Sequence, residues 1–175
     1  MSNIGMVHVY CGLGKGKTTA AIGLGIRAAG NGLKVCMIQF LKTSFTGELK
    51  TLKKLEPFFN VHRLESPKGF FYELTEQQKE TLKLEVLEEF EFAKKLIEEC
   101  DVLILDEILG VLENKLLQLE QMVELIKSKP DKLELILTGR NVPEEIMKLA
   151  NYVSEIKSIK HPGEFAIEAR KGIEF

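Results

Sequence analysis

The sequence predicts an α/β fold, a mostly parallel sheet flanked by helices. Three observations point there. Short apolar runs alternate with amphipathic helical patterns along the whole chain, as strand–helix–strand units do. Two runs, residues 34–40 (KVCMIQF) and 101–107 (DVLILDE), are nearly continuous in apolar residues, as strands covered on both faces are. A glycine-rich turn joins the first apolar run to the first helical pattern.

Taken in order, residues 6–11 are rich in β-branched and aromatic side chains and stop at Gly12, which predicts a strand. Residues 18–29 predict a helix ended by Gly30 and Gly32. The strand 34–40 follows, then a short charged helix over 48–56 and a strand at 61–64. Thr75 and Gln78 form a capping-box pattern that opens a long helix, 75–99. Its Leu82, Val86, Phe90, Ala93 and Ile97 fall on one stripe. The strand 101–107 comes next. Leu119, Met122, Val123 and Ile126 then mark an amphipathic helix, 133–138 a strand, Pro143 the first residue of a helix, and 152–159 a closing strand. Residues 41–74 are the least regular stretch, and long irregular connections are often functional. No repeat, low-complexity segment or long linker divides the chain, so 1–175 is expected to be a single domain.

The 175 residues are 45% apolar and 29% charged, the balance of an ordinary globular protein. With 24 basic and 26 acidic residues, the net charge is −2, which argues against nucleic acid as the partner. No apolar run reaches the ~20 residues of a membrane helix, and no signal peptide is evident at the start. Cys11, Cys36 and Cys100 are odd in number and unclustered. Disulfides and zinc are not expected, and a reducing cytoplasm is.

The sharpest motif is Cys11-Gly12-Leu13-Gly14-Lys15-Gly16-Lys17-Thr18-Thr19, between a predicted strand and a predicted helix. That context makes it a phosphate loop. Glycines let backbone N–H groups turn toward an anion, and the helix N-terminus adds partial positive charge. Lys17 would place an ammonium on phosphates, and Thr18 would offer a hydroxyl to Mg²⁺ (or Mn²⁺). The usual pattern has glycine where Cys11 stands. An acidic partner for the metal is expected at another strand end, and Asp106 and Glu107 supply it after an apolar run. Arg140, in Thr138-Gly139-Arg140, follows the next strand and could be aimed at phosphates or form a surface ion pair. Phe70, Phe71 and Tyr72 could line a ligand or form a folded-back loop core. His8, His62 and His161 lack metal spacing.

The residues themselves carry a resemblance. Gly12 to Ala21, Gln39-Phe40 with Lys42, Leu105-Asp106-Glu107, Thr138-Gly139-Arg140, Val153-Ser154-Glu155 with Lys160-His161, and the ending Gly172-Ile173-Glu174-Phe175 occur in that order. The chain resembles the corrinoid adenosyltransferase family from about residue 5 onward, and the glycine offset at Cys11 is a trait of that family. The resemblance implies a P-loop fold of the RecA-like kind. It implies that cobalt(I) of cobalamin or a cobinamide-type corrinoid attacks the 5′ carbon of ATP and that intact triphosphate leaves. Carried over by residue, it implies that Gly12, Leu13, Gly14, Lys15, Gly16, Lys17, Thr18 and Thr19 bind the triphosphate. It implies that Thr18 and Glu107 hold Mg²⁺ with Asp106 behind them. Catalysis would then rest on Lys17, Thr18 and Glu107. Gly69-Phe70-Phe71-Tyr72 stands where the family places an aromatic segment under the corrin ring, so Phe70 and Tyr72 are its corrinoid contacts. Tyr72 replaces the family's tryptophan, and Leu13 its usual asparagine. A reduced flavoprotein is the implied electron donor, and a homodimer is among the arrangements the resemblance allows; many relatives carry an N-terminal helical extension over the site.

Two other readings remain open on the residues alone. One is an ordinary P-loop ATPase or kinase with Glu107 polarising the nucleophile. The other is a nucleotide-dependent binding module that acts through a partner.

Overall fold

A computed structural model describes residues 4–42, 46–63, 71–165 and 168–173. Six strands, β1 (Val7–Cys11), β2 (Val35–Gln39), β3 (Phe59–Arg63), β4 (Val102–Asp106), β5 (Glu134–Thr138) and β6 (Tyr152–Glu155), form one sheet in the order β3-β2-β4-β5-β1-β6. Every pairing is parallel. The helices are α1 (Lys17–Gly30), α2 (Glu48–Leu52), α3 (Glu76–Leu96), α4 (Ile108–Glu113), α5 (Leu119–Ser128) and α6 (Glu144–Leu149).

Strand alternation divides the core in two. Val7, Val9, Cys36, Ile38, Leu103, Leu105, Leu135 and Leu137 point to the face where Val86, Phe90 and Ala93 of α3 and Met122, Leu125 and Ile126 of α5 pack. Val35, Met37, Val102, Ile104 and Ile136 point to the other, under Ala21, Ile22 and Ala28 of α1. Residues of opposite parity on one strand thus serve opposite layers. All five residues of β2 and of β4 are buried, which is why their sequences read as unbroken apolar runs. The capping box at Thr75 is formed: its side chain accepts from Gln78 N–H, and its own N–H donates to the Gln78 side chain. The three cysteines are free and buried. No helix among the described residues is long and apolar enough to cross a membrane.

Several boundaries differ from expectation for identifiable reasons. The last strand stops at Glu155 and not at 159. Beyond it, Ile156 donates to Cys11 O at 2.8 Å and accepts from Gly14 N–H at 2.7 Å, so its backbone serves the glycine turn. The charged stretch after residue 47 is five residues of α2 followed by a 3₁₀ turn. β3 begins at Phe59, whose ring is fully buried beneath Gly25 of α1. Pro143 stands just outside α6, in extended conformation, and not inside it. The short helix α4 was not expected. It follows Glu107 directly, which leaves β4 in a left-handed conformation, φ 63°.

Candidate functional site

The carboxyl ends of β1, β2, β4 and β5 meet at one edge of the sheet, where ligands bind in open parallel sheets. A cleft of about 720 Å³ opens there. Residues 15–19, Ile22, Lys42, Thr46, Gly47, Glu48 and Glu107 line it, and Gly172 and Ile173 close one side.

α1 begins in this cleft. Its N-cap is Gly16, left-handed at φ 114°, with no side-chain cap and no acidic residue in the first turn. The first-turn amides of a helix have no intrahelical acceptor, so Lys17, Thr18 and Thr19 present donors and partial positive charge to the cleft. The preceding glycines have a different task from the cradle expected of them. Gly12 N–H donates to Arg140 O at 2.8 Å, and Gly14 N–H to Ile156 O at 2.7 Å. A Cβ at either position would lie 2.5–2.7 Å from Ile156 O. Gly12 and Gly14 therefore let the 155–157 backbone approach, Leu13 between them is exposed, and the part of the loop that faces the cleft is 15–19. Lys17 Nζ donates back to Gly14 O at 2.8 Å.

Asp106, fully buried at the end of β4, is the hub. It accepts from Thr18 Oγ1 at 2.9 Å and Thr138 Oγ1 at 2.7 Å on one oxygen. On the other it meets Lys42 Nζ at 2.6 Å and Gln39 Nε2 at 3.4 Å. Lys42 Nζ also donates to Thr18 Oγ1 at 2.8 Å. Thr138 in turn accepts from the Glu107 N–H at 2.8 Å, so one hydroxyl fixes both acidic residues. The register explains the convergence, since Gln39 pairs with Asp106 and Leu105 with Leu137.

Of the Asp106–Glu107 pair, Glu107 is the one that lines the cleft. Positive φ is uncommon outside glycine and clusters at functional sites. Burial, and then the neighbouring Asp106 charge, push its carboxyl above the ordinary range, against the pull of Lys42, Lys17 and Arg140. Such a group takes a cation readily, because positive charge relieves both costs. Thr18 and Glu107 are hard oxygen donors suited to Mg²⁺, which usually takes one or two protein ligands beside phosphates and water. Among the described residues no three His, Cys, Asp or Glu side chains surround a common point, and a site completed by phosphate oxygens needs none.

Arg140 is exposed beyond β5, with its charge felt at Glu107. Phe71 and Tyr72 form a 3₁₀ turn before α3. Phe71 packs on the core under Lys79, whereas Tyr72 is 77% exposed. Gly69 and Phe70 lie outside the described residues. His8 is a sheet histidine, bonded to Glu134 and stacked on Tyr152. Sequence reasoning assigned no role to Lys42, Gln39 or Thr138. The available signal was a polar residue closing each of two apolar strands, Gln39 in KVCMIQF and Thr138 in ELILT.

A KaiC-like protein from Pyrococcus horikoshii shares the fold, with a TM-score of 0.53 and 16% identity over 88% of this chain and 73% of that one. The corrinoid adenosyltransferase of Escherichia coli K12 is 32% identical over 173 residues, 98% of this chain and 86% of its own. That of Pseudomonas aeruginosa is 31% identical over 174 residues, covering 98% and 84%. The model of the family described as ATP:corrinoid adenosyltransferase BtuR/CobO/CobP matches residues 3–175. With the phosphate loop, the acidic strand end and a match along nearly the whole chain, this protein belongs to the corrinoid adenosyltransferase family.

Proposed function

We infer that the protein transfers the 5′-deoxyadenosyl group of ATP to the cobalt(I) of a corrinoid. The carrying observation is the family match over residues 3–175. Cobalt(I) donates its electron pair to C5′, the C5′–O5′ bond breaks, and triphosphate departs with that bond's electrons. The nucleophile carries no proton, so no general base is required, and Glu107 is free to act as an anion toward metal.

The leaving group is a polyanion, and stabilising it is the protein's main electrostatic task. The first-turn amides of α1, Lys15 and Lys17 are the groups proposed to take up its charge, with Arg140 adding positive charge at the rim. Thr18 and Glu107 are the proposed ligands of Mg²⁺ (or Mn²⁺), with Asp106 orienting Thr18. When bound, that ion would supply further charge neutralisation on the triphosphate. Gly12, Leu13 and Gly14 shape the loop. On the corrinoid side, Phe70 and Tyr72 are the proposed contacts, with cobalamin or a cobinamide-type corrinoid as substrate. The same reading includes a reduced flavoprotein as donor, a cytoplasmic setting and a homodimer.

The test is incubation with Mg-ATP and chemically reduced cob(I)alamin. Appearance of the adenosylcobalamin spectrum with stoichiometric triphosphate is the expected result. ADP and phosphate without adenosylcobalamin would assign an ordinary ATPase instead.

A further inference from the structure

Lys42 belongs to no part of the phosphate loop, yet its ammonium sits in the middle of the proposed metal site. It reaches Asp106 Oδ2 at 2.6 Å and Thr18 Oγ1 at 2.8 Å. A hydroxyl has one proton and two acceptor positions. The Thr18 proton goes to Asp106, and Lys42 takes one of the two acceptor positions. The Asp106 carboxylate is filled in the same way, by Thr18, Thr138, Gln39 and Lys42. A divalent cation using Thr18 would therefore compete with an ammonium for the same oxygen, in a part-buried site where like charges repel strongly.

Lys42 is also built to leave. Its side chain is 22% exposed and lines the cleft beside Lys17 and Thr18. Its backbone is anchored, with Arg63 Nη2 donating to Lys42 O at 2.9 Å. A compact charge on a flexible four-carbon stem can move while its backbone stays fixed. Lys17, beside it in the cleft, is similarly held by the protein's own oxygen, Gly14 O.

We propose that Lys42 is the resident counter-ion of the metal position: its ammonium holds Thr18 and Asp106 until a nucleotide's phosphates draw it away, and only then does Thr18 become open to a divalent cation. The site thus takes metal and nucleotide together and resists metal alone. This deepens the nucleotide half of the proposed function and rests on that half only.

Mn²⁺ without nucleotide is the probe, with free ion counted by electron paramagnetic resonance. Lys42→Met keeps the stem and removes the charge; it should bind Mn²⁺ at least about tenfold more tightly than the parent protein. Lys42→Arg keeps the charge and should stay as weak as the parent. Lys42→Gln, which retains a donor toward Asp106, replaces the methionine variant if that one does not fold. Equal Mn²⁺ affinity in the parent and in a folded charge-removed variant overturns the proposal. A second arm adds ATP: measured against Mn²⁺ with ATP alone, ATP should raise Mn²⁺ uptake on the parent protein at least about tenfold, and by clearly less on the charge-removed variant. An equal rise on the two also overturns it. Neither arm contains a corrinoid, so absence of adenosyl transfer would refute the proposed reaction and leave this result standing.

Discussion

The strand ends around Asp106 and the turn that carries Tyr72 are the two proposed substrate regions, and the fold holds them differently. Asp106 is fully buried and held by four side chains from two strands, a helix and a loop. The turn is three residues of 3₁₀ helix, pinned by the half-buried Phe71 ring with Lys79 5.5 Å from its centroid. Tyr72 beside it is 77% exposed. A leaving polyanion requires charges fixed before the reaction, because donors that must reorganise lose most of their advantage. A large flat ligand with apolar faces can be met by aromatic groups on a less constrained segment. On the proposed reading, the strand ends that face the leaving group are fixed by the fold, and only the lysine side chains are left to move onto it.

The sharpest way to break this comparison is to remove charge from the rigid side. Lys17→Ala should retain the parental melting temperature, since Lys17 Nζ bonds only the Gly14 carbonyl among the described contacts. It should lose about 10²–10³ in kcat/KM, the typical effect of losing one well-placed charge contact in a transition state. Triphosphate release and circular-dichroism melting measure the two separately. Near-parental turnover in a folded variant would mean that the loop does not carry the leaving group.

Glu107→Gln should also lose activity but gain stability. Burial and Asp106 raise the folded-state pKa of Glu107. A raised carboxyl pKa means that the folded protein holds the proton more tightly than the unfolded chain. Its contribution is fully favourable below the ordinary carboxylate range and is lost as pH rises through the raised value. At neutral pH the charged Glu107 is therefore a cost to the metal-free fold. Glu107→Gln should melt higher than the parent at pH 7, by about 2–4 °C for each kcal/mol relieved. The difference should shrink as pH falls below the raised value, where the parent becomes protonated. Metal-free melts across pH measure it, and a variant less stable at pH 7 would refute the electrostatic account. A destabilising residue kept at the cleft is the expected pattern for a functional position.

What the sequence disclosed follows the same division. The phosphate loop and DVLILDE were legible because strand, turn and helix each impose local residue types. The parallel sheet was legible because strands covered on both faces must be apolar throughout. The contacts of Lys42 were not, because its partners Thr18 and Asp106 lie 24 and 64 residues away and only strand order brings them together. The real reason for Gly12 and Gly14 was also hidden. It is the approach of residue 156, more than 140 positions later in the chain. The closing strand is shorter than its apolar pattern suggests for the same reason, since the partner of Ile156 is the loop and not a strand.

The smallest expected effect separates the two aromatic neighbours at the turn. Phe71 packs on the core, and truncating it should lower the melting temperature measurably, as partial loss of a buried ring does. Tyr72 is largely exposed, so Tyr72→Ala should melt within about 1 °C of the parent, as surface substitutions do. If Tyr72 meets the corrinoid, that variant should be impaired mainly in the assay that starts from cob(II)alamin with a biological reductant. An apolar contact that excludes the lower cobalt ligand eases reduction to cobalt(I). Chemically pre-reduced cob(I)alamin bypasses that step, so its adenosylation should change much less. Tyr72→Trp should preserve or improve the reduction-dependent reaction, because the larger ring offers more apolar area to the corrinoid. Phe70→Ala should follow Tyr72→Ala in both assays. Equal loss in the two assays would assign the segment to binding or folding in general. No change in either would leave Tyr72 as surface and place the corrinoid elsewhere.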